Sequence, residues 1–369
     1  MPIKTRVSKA LRCPNPIKHI DSITLLWHFY NILHSLSLLP FVLPAYNSGD
    51  FTNAIAVGMM IWYNKKRQIR IRWSDYSMRL LIYGAGVIGC LYAALFGQAG
   101  YDTTLYARGK KLETFRKNGL LYEIKGKTYK AEVKIINLLK NEDKYDFIFL
   151  TVKENQVHAA LKELSLNTSP TIVTMVNTLE PYSNWEEICG KGRIIPAFPG
   201  AGGSFENGIL KAALTPRVIQ PTTFSEIDGS QTKRLLRLAE LLKEAGIPYQ
   251  IVKDMHQWQL CHLAMVVPIA DAYYEAKEPR EVWRECAIMT KTAKRMKRNF
   301  NSLHDSGITL SPKKMNIFRY FPTFILKIGL IIVFRSNFGN VFMYQHSINA
   351  PDEMRRLHTQ FYQYIKNHD

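Results

Sequence analysis

The chain has 369 residues, 47% hydrophobic and 21% charged, which suits two or three soluble domains with real cores. Its net charge is +19, yet no arginine-rich tail, zinc-finger spacing or RNA-binding aromatic motif accompanies it, so a basic enzyme with anionic ligands is expected and nucleic acid is not. The cysteines (Cys13, Cys90, Cys189, Cys261, Cys286) are odd in number and scattered, which predicts reduced thiols and no metal site.

Residues 1–77 differ from the rest of the chain. They hold ten Lys/Arg and three Asp/Glu, yet no charge falls between Ser22 and Gly49. A membrane helix needs about 20 apolar residues, but this stretch carries His28, His34, Pro40 and Pro44. A second apolar run, Phe51 to Tyr63, is shorter and ends in Lys65-Lys66-Arg67. Three readings stand: a membrane anchor with positive flanks, a signal peptide, or an atypical extension upstream of a working start at Met78. The last is favoured, because Met78-Arg79-Leu80-Leu81-Ile82-Tyr83 leads directly into a strand.

Leu80 to Tyr83 has the unbroken apolar pattern of a buried parallel strand. Gly84-Ala85-Gly86-Val87-Ile88-Gly89 follows at once, and Cys90 to Gln98 reads as a helix closed by Gly100. A glycine loop between strand and helix is a phosphate cradle: Gly84 permits the turn, Gly86 admits the pyrophosphate, Gly89 lets helix and strand pack. The helix N-terminus adds free N–H groups and a positive dipole end. A second strand, Thr103 to Tyr106, ends at Ala107-Arg108-Gly109-Lys110-Lys111. An NAD enzyme usually has an acid there for the ribose hydroxyl; Arg108 in its place points to NADP, with Lys110 or Lys111 assisting or merely solvated. Strands Asp146 to Thr151 and Thr171 to Val176 end at Lys153 and Asn177, toward the nicotinamide side of the crevice, with exposed loop positions as the alternative. Strand-like runs continue to Tyr249–Val252. Helical patterns then take over: His256 to Glu275, Pro279 to Leu303, Phe324 to Phe334 and Asp352 to Asn367. The third, at 11 residues, is read as a buried helix rather than a membrane span.

In this order, Met78–Gly89, Tyr106-Ala107-Arg108, Thr151-Val152-Lys153, Val176-Asn177 and Pro199-Gly200-Ala201-Gly202-Gly203, the sequence resembles the ketopantoate reductase (2-dehydropantoate 2-reductase) family across residues 78–369. The resemblance implies an α/β fold: an N-terminal Rossmann dinucleotide-binding domain, residues 78–252, followed by an all-helical substrate domain, residues 253–369. It implies NADPH-dependent reduction of a small 2-oxo acid, as in pantothenate biosynthesis, in the cytoplasm. Neither nucleic acid nor a membrane is expected as partner, and a homodimer is allowed. The cofactor is expected on Gly84, Ala85, Gly86, Val87, Ile88, Gly89, Arg108, Lys153 and Asn177. Gly203 would bring backbone to it, and Glu353 would sit near it unless the Asp352 region serves only as a helix cap.

One departure stands out. Family members carry a catalytic lysine two positions after a tryptophan on the first helix of the second domain, with asparagines four and eight further on. Here Trp258 is followed at those places by Leu260, Ala264 and Pro268, which suggests an altered substrate pocket. His262 has a suitable intrinsic pKa, but two residues along a helix is about 200° of rotation. It is either the replacement donor or a packed or surface histidine. Lys153 is the other catalytic candidate, as an electrostatic stabiliser of the developing oxyanion. A catalytically weak NADP-binding redox sensor is the alternative function.

Overall fold

A computed structural model describes residues 78–368; the expectations for residues 1–77 lie outside them. Strands in chain order are β1 (Arg79–Tyr83), β2 (Asp102–Tyr106), β3 (Leu121–Ile124), β4 (Lys127–Lys130), β5 (Lys134–Ile136), β6 (Phe147–Leu150), β7 (Ile172–Met175), β8 (Ile194–Phe198), β9 (Ala201–Glu206), β10 (Ile209–Leu214), β11 (Thr222–Phe224) and β12 (Tyr249–Ile251). The α-helices are α1 (Val87–Gln98), α2 (Gly109–Asn118), α3 (Val157–Leu164), α4 (Tyr182–Cys189), α5 (Lys233–Glu244), α6 (Met255–Glu275), α7 (Cys286–Asp305), α8 (Ile317–Tyr320), α9 (Thr323–Arg335), α10 (Gln345–Asn349) and α11 (Pro351–His368).

The continuous apolar runs of β6 and β7 are buried along their whole length, as strands covered on both faces must be. They lie inside an eight-stranded sheet ordered β12-β11-β8-β7-β6-β1-β2-β5. Its neighbours are parallel except β8 and β11. The order reverses at β1: β2 lies on one side and β6 on the other. Ligands of open α/β sheets bind outside the strand carboxyl ends at such a switch point, here beside Gly84 and Thr151. A Rossmann-type α/β domain followed by a helical domain is therefore the architecture observed, as expected.

A second sheet, β4-β3-β10-β9, was not anticipated from the sequence. Asn207 and Gly208, both at positive φ, close its β9–β10 hairpin, the turn chemistry that Asn-Gly favours.

α6 is apolar nearly all round, so it is buried from several sides. The side chain of Asp254 caps it, accepting from Gln257 N at 2.9 Å. Its first turn joins the sheet core: Met255 and Trp258 pack with Ile148, Leu161, Trp185 and Ile194. Further on, Leu260 and Ala264 pack with Phe300, Leu357 and Phe361 of the helical core.

Three local expectations are corrected. The first helix begins at Val87 rather than Cys90, so the end of the glycine loop is itself the first helical turn. The run Pro279 to Leu303 is broken: a 3-10 segment, Pro279–Arg284, precedes α7, and Glu285 between them has non-helical φ −90°, ψ 85°. Cys286 is disulfide-bonded, whereas Cys90, Cys189 and Cys261 are free and buried; spacing in sequence carries no record of which thiols meet in space. The apolar run at α9 buries Leu326, Leu330 and Phe334 but leaves Phe324 and Ile328 exposed. Among the described residues no single helix is long and apolar enough to cross a membrane; Thr323–Arg335 with Gly339–Ile348 passes by length and composition only as a pair bent by 86°.

Candidate functional site

The glycine loop is forced by its neighbours. Gly84 has φ +123°, which side chains rarely adopt, and a Cβ there would lie 2.9 Å from the Thr151 carbonyl oxygen. A Cβ on Gly89 would lie 2.0 Å from the Gly84 oxygen and 2.4 Å from Thr151 Oγ1. The Thr151 hydroxyl donates to the Gly84 oxygen at 2.9 Å and so ties β6 to the loop. Gly86 is different: a Cβ there would meet only the Thr151 oxygen at 3.8 Å. The side chain is absent where space is open, which is what close approach by a ligand requires. Gly86 is the N-cap of α1, and Cys90 N donates to its carbonyl at 3.0 Å. The N–H groups of Val87, Ile88 and Gly89 therefore lack partners within the helix, as at any helix start. Ala85 supplies a carbonyl to Lys111 Nζ at 2.5 Å, which spends that lysine on the loop itself.

Arg108 follows β2 and is held from below. Tyr83 and Tyr106 stack at 4.5 Å, and the guanidinium lies over them, 5.9 Å and 5.3 Å from the ring centres. Both hydroxyls donate to the Glu163 carboxylate, at 2.5 Å and 2.8 Å. Arg108 Nη1 stands 3.9 Å from that carboxylate, and its side chain is 63% exposed. An exposed guanidinium held over an aromatic floor is able to hold an anion. Neither the tyrosine pair nor Glu163 was picked out from sequence; Glu163 is distant in the chain and has no motif.

Asn177 follows β7 and is 7% exposed. Its Nδ2 and Oδ1 are both sealed from water and have no hydrogen-bond partner. Such a group costs about 1–3 kcal/mol, so it points to a function. The flanking backbone is clamped by Gln259 of α6, another residue that no sequence motif marks. Gln259 Oε1 accepts from Thr178 N at 2.7 Å, and its Nε2 donates to the Val176 oxygen at 3.2 Å. We expect Asn177→Leu to raise the melting stability of the ligand-free protein, by about 1 kcal/mol, while weakening ligand binding; a thermal melt with and without cofactor reads both.

Lys153 is exposed after β6. Its charge acts on Glu353, which lies in the first turn of α11 beside Asp352. Burial pushes the Glu353 carboxyl up, Lys153 and Arg356 oppose that, and Glu154 adds to it. Arg356 Nε stands 3.1 Å from Glu154 but is not aligned as a hydrogen bond. Glu353 thus serves the helix start and feels the charge of the lysine at once. Gly203 has φ +147°, and a Cβ there would strike β10 at 2.3 Å from the Lys211 oxygen. Its need for glycine comes from the β9–β10 pairing, and it gives no independent sign of a ligand.

The row Leu260, Ala264, Pro268 is packed inside the protein. All three are buried, Leu260 and Ala264 against the helical core. Their apolar character is explained by packing, so it says nothing about substrate polarity. The row facing the sheet is Trp258 and His262. The His262 ring stacks on Trp258 at 5.2 Å and 7°, and lies 4.3 Å from the Phe198 ring at the end of β8. Burial, with His346 nearby, lowers its pKa to about 3. His346 was not singled out from sequence.

Residues 80–213 match the family model of ketopantoate reductase PanE/ApbA. Over that segment the chain is similar to the ketopantoate reductase family. The chain is 28% identical over 178 residues to a 2-dehydropantoate 2-reductase of Archaeoglobus fulgidus, covering 48% of this chain and 57% of that one. It is 38% identical over 191 residues to the enzyme of the same name from Pyrococcus horikoshii, covering 49% and 58%. The matches thus span less than two thirds of these relatives. Two solved structures share the fold. The 2-dehydropantoate 2-reductase of Geobacter metallireducens has a TM-score of 0.57 at 17% identity, covering 78% of this chain and all of that one. D-mandelate dehydrogenase in complex with NADH has a TM-score of 0.55 at 14% identity, covering 79% and 97%.

Proposed function

We propose that this protein is an NADPH-dependent reductase of a 2-oxo acid or related carbonyl. Residues 78–252 hold the cofactor, and residues 253–369 close the substrate side. The sealed, unpaired amide of Asn177 at the carboxyl end of β7 carries this reading. The glycine loop, which a Cβ would fill, and the exposed Arg108 support it. Bound NADPH would supply the hydride. The α1 N-terminus and loop (Gly84, Ala85, Gly86, Val87, Ile88, Gly89) would hold the pyrophosphate. Arg108 would hold the 2′-phosphate by charge-assisted hydrogen bonds. Asn177 would pair with the carboxamide or the substrate. Lys153, oriented by Glu353, would stabilise negative charge developing on the carbonyl oxygen.

NADPH fluorescence titration and NADPH oxidation with a panel of 2-oxo acids test the proposal. Turnover on a member of the panel supports it. Tight NADPH binding with no turnover favours the redox-sensor reading, which rests on Leu260 at the place of the family's lysine. No NADPH binding defeats both. The proposed setting is cytoplasmic and homodimeric; a sedimentation measurement of a monomer would overturn the latter.

His262 also predicts a pH dependence. Its folded pKa of about 3 lies below the ordinary 6.5, so the unfolded chain binds the proton more readily between those values. Stability is full above about pH 6.5 and is lost as pH falls toward 3, by on the order of a few kcal/mol. Thermal melts from pH 7 to pH 4 should fall more steeply for the wild type than for His262→Gln.

A further inference from the structure

The outer side of α9 is an apolar face with basic borders. Leu326, Leu330 and Phe334 recur every four residues along the helix and pack in one cluster with Tyr273 of α6 and Met289 and Met296 of α7. Phe324 and Ile328 are two residues off that row, about 200° round the helix, so they point away from the core. Phe324 is 62% exposed and Ile328 48%; Tyr320, which ends α8 four residues before Phe324, is 72% exposed. The base beneath them is fixed. Phe318 stacks on Phe300 of α7 at 4.8 Å, and Lys297 of α7 donates to the Phe321 carbonyl, between α8 and α9, at 2.9 Å. Large apolar side chains held in water on a rigid base mark an interaction surface.

The charges around this face say what kind of partner fits it. No Asp or Glu occurs from Ser306 to Pro351, a stretch of 46 residues that carries five Lys/Arg. Arg319, Lys327 and Arg335 belong to that stretch, and among the described residues none of the three has an ion-pair partner. Two of them lie against aromatic rings: Arg319 is 5.4 Å from the Tyr320 ring centre, and Arg335 is 5.4 Å from that of Trp283. Glu281, in the segment before α7, is taken by Arg284, itself 4.8 Å from the Trp283 ring. A second copy of the same face would set these cations against one another. An anionic bilayer instead satisfies both parts of the surface. Apolar side chains enter the acyl boundary, while lysines, arginines and amphipathic rings stay at the headgroups. At 13 residues α9 is too short to span a bilayer, so it would lie in the plane of the interface.

We propose that the α8–α9 face docks on an anionic lipid bilayer. Tyr320, Phe324 and Ile328 insert at the boundary between headgroups and acyl chains, and Arg319, Lys327 and Arg335 meet the lipid phosphates.

The test uses the full chain and vesicles of phosphatidylcholine, alone or mixed with phosphatidylserine. In co-sedimentation the wild type should bind the mixed vesicles, bind the neutral ones about tenfold more weakly, and release the mixed ones as salt rises. Phe324→Glu combined with Ile328→Glu should lower affinity for the mixed vesicles about a hundredfold. Its thermal melt should match that of the wild type, because both side chains already stand in water. Arg319→Gln combined with Arg335→Gln should lower the affinity about tenfold. The wild type alone can overturn the proposal, by binding neither vesicle or by binding both equally. The proposal also fails if the glutamate pair binds as tightly as the wild type, since the attachment would then lie elsewhere in the chain, residues 1–77 included. Conversion of a wild-type dimer into a monomer by the same pair, read by analytical ultracentrifugation, would assign the face to a second copy and overturn it too.

Discussion

Alanine at Gly86 is expected to leave the fold standing and to weaken NADPH binding about a hundredfold, equal to one or two lost charge-assisted hydrogen bonds. The added Cβ meets the Thr151 oxygen at an ordinary 3.8 Å, so the protein itself has no reason to object. What it fills is the open side of the loop, where a pyrophosphate must come within hydrogen-bond distance of the N–H groups opening α1. Gly89→Ala makes the contrast. Its Cβ would lie 2.0 Å from the Gly84 oxygen, so helix and strand must separate, at a cost of about 1–3 kcal/mol. Thermal melts and NADPH titrations of both variants should therefore diverge: Gly86→Ala loses binding alone, Gly89→Ala loses both. Equal melting losses would mean that the loop is a structural turn with no ligand to accommodate.

Arg108→Ala should weaken NADPH about ten- to a hundredfold and leave NADH nearly unchanged, since removing a hydrogen-bonded charge facing a phosphate costs about 1.5–3 kcal/mol. The loss should fall toward the upper end. Glu163 stays in place beneath, held by Tyr83 and Tyr106, and without the guanidinium at 3.9 Å it faces the phosphate as a bare like charge. Paired titrations with NADPH and NADH measure this. A wild type that binds the two equally would remove the specificity assigned to Arg108.

Much of the Rossmann half was legible because its signals are local. Apolar runs such as Phe147 to Leu150 announce buried strands, and a glycine loop between strand and helix announces a phosphate site. The second sheet was missed although Asn207-Gly208 is a hairpin signal. Its strands, such as the wholly exposed Lys127–Lys130, lack the apolar runs by which the other strands were read. The orientation of α6 was not legible. Trp258 and Leu260 are two residues apart, so they face nearly opposite ways. Which of them meets the sheet depends on how α6 docks, and nothing within the helix says so.

Chain order alone therefore determined the glycine loop between β1 and α1, Arg108 at the end of β2, and Lys153 and Asn177 at the carboxyl ends of β6 and β7, because strand polarity sends those positions to one edge. Only the tertiary structure decided that Leu260 and Ala264 are core, that Gln259 clamps the backbone around an unpaired Asn177, and that His262 lies between Trp258 and Phe198. Those facts join residues from separate elements, and contacts of that kind arise only when the helical half packs against the sheet.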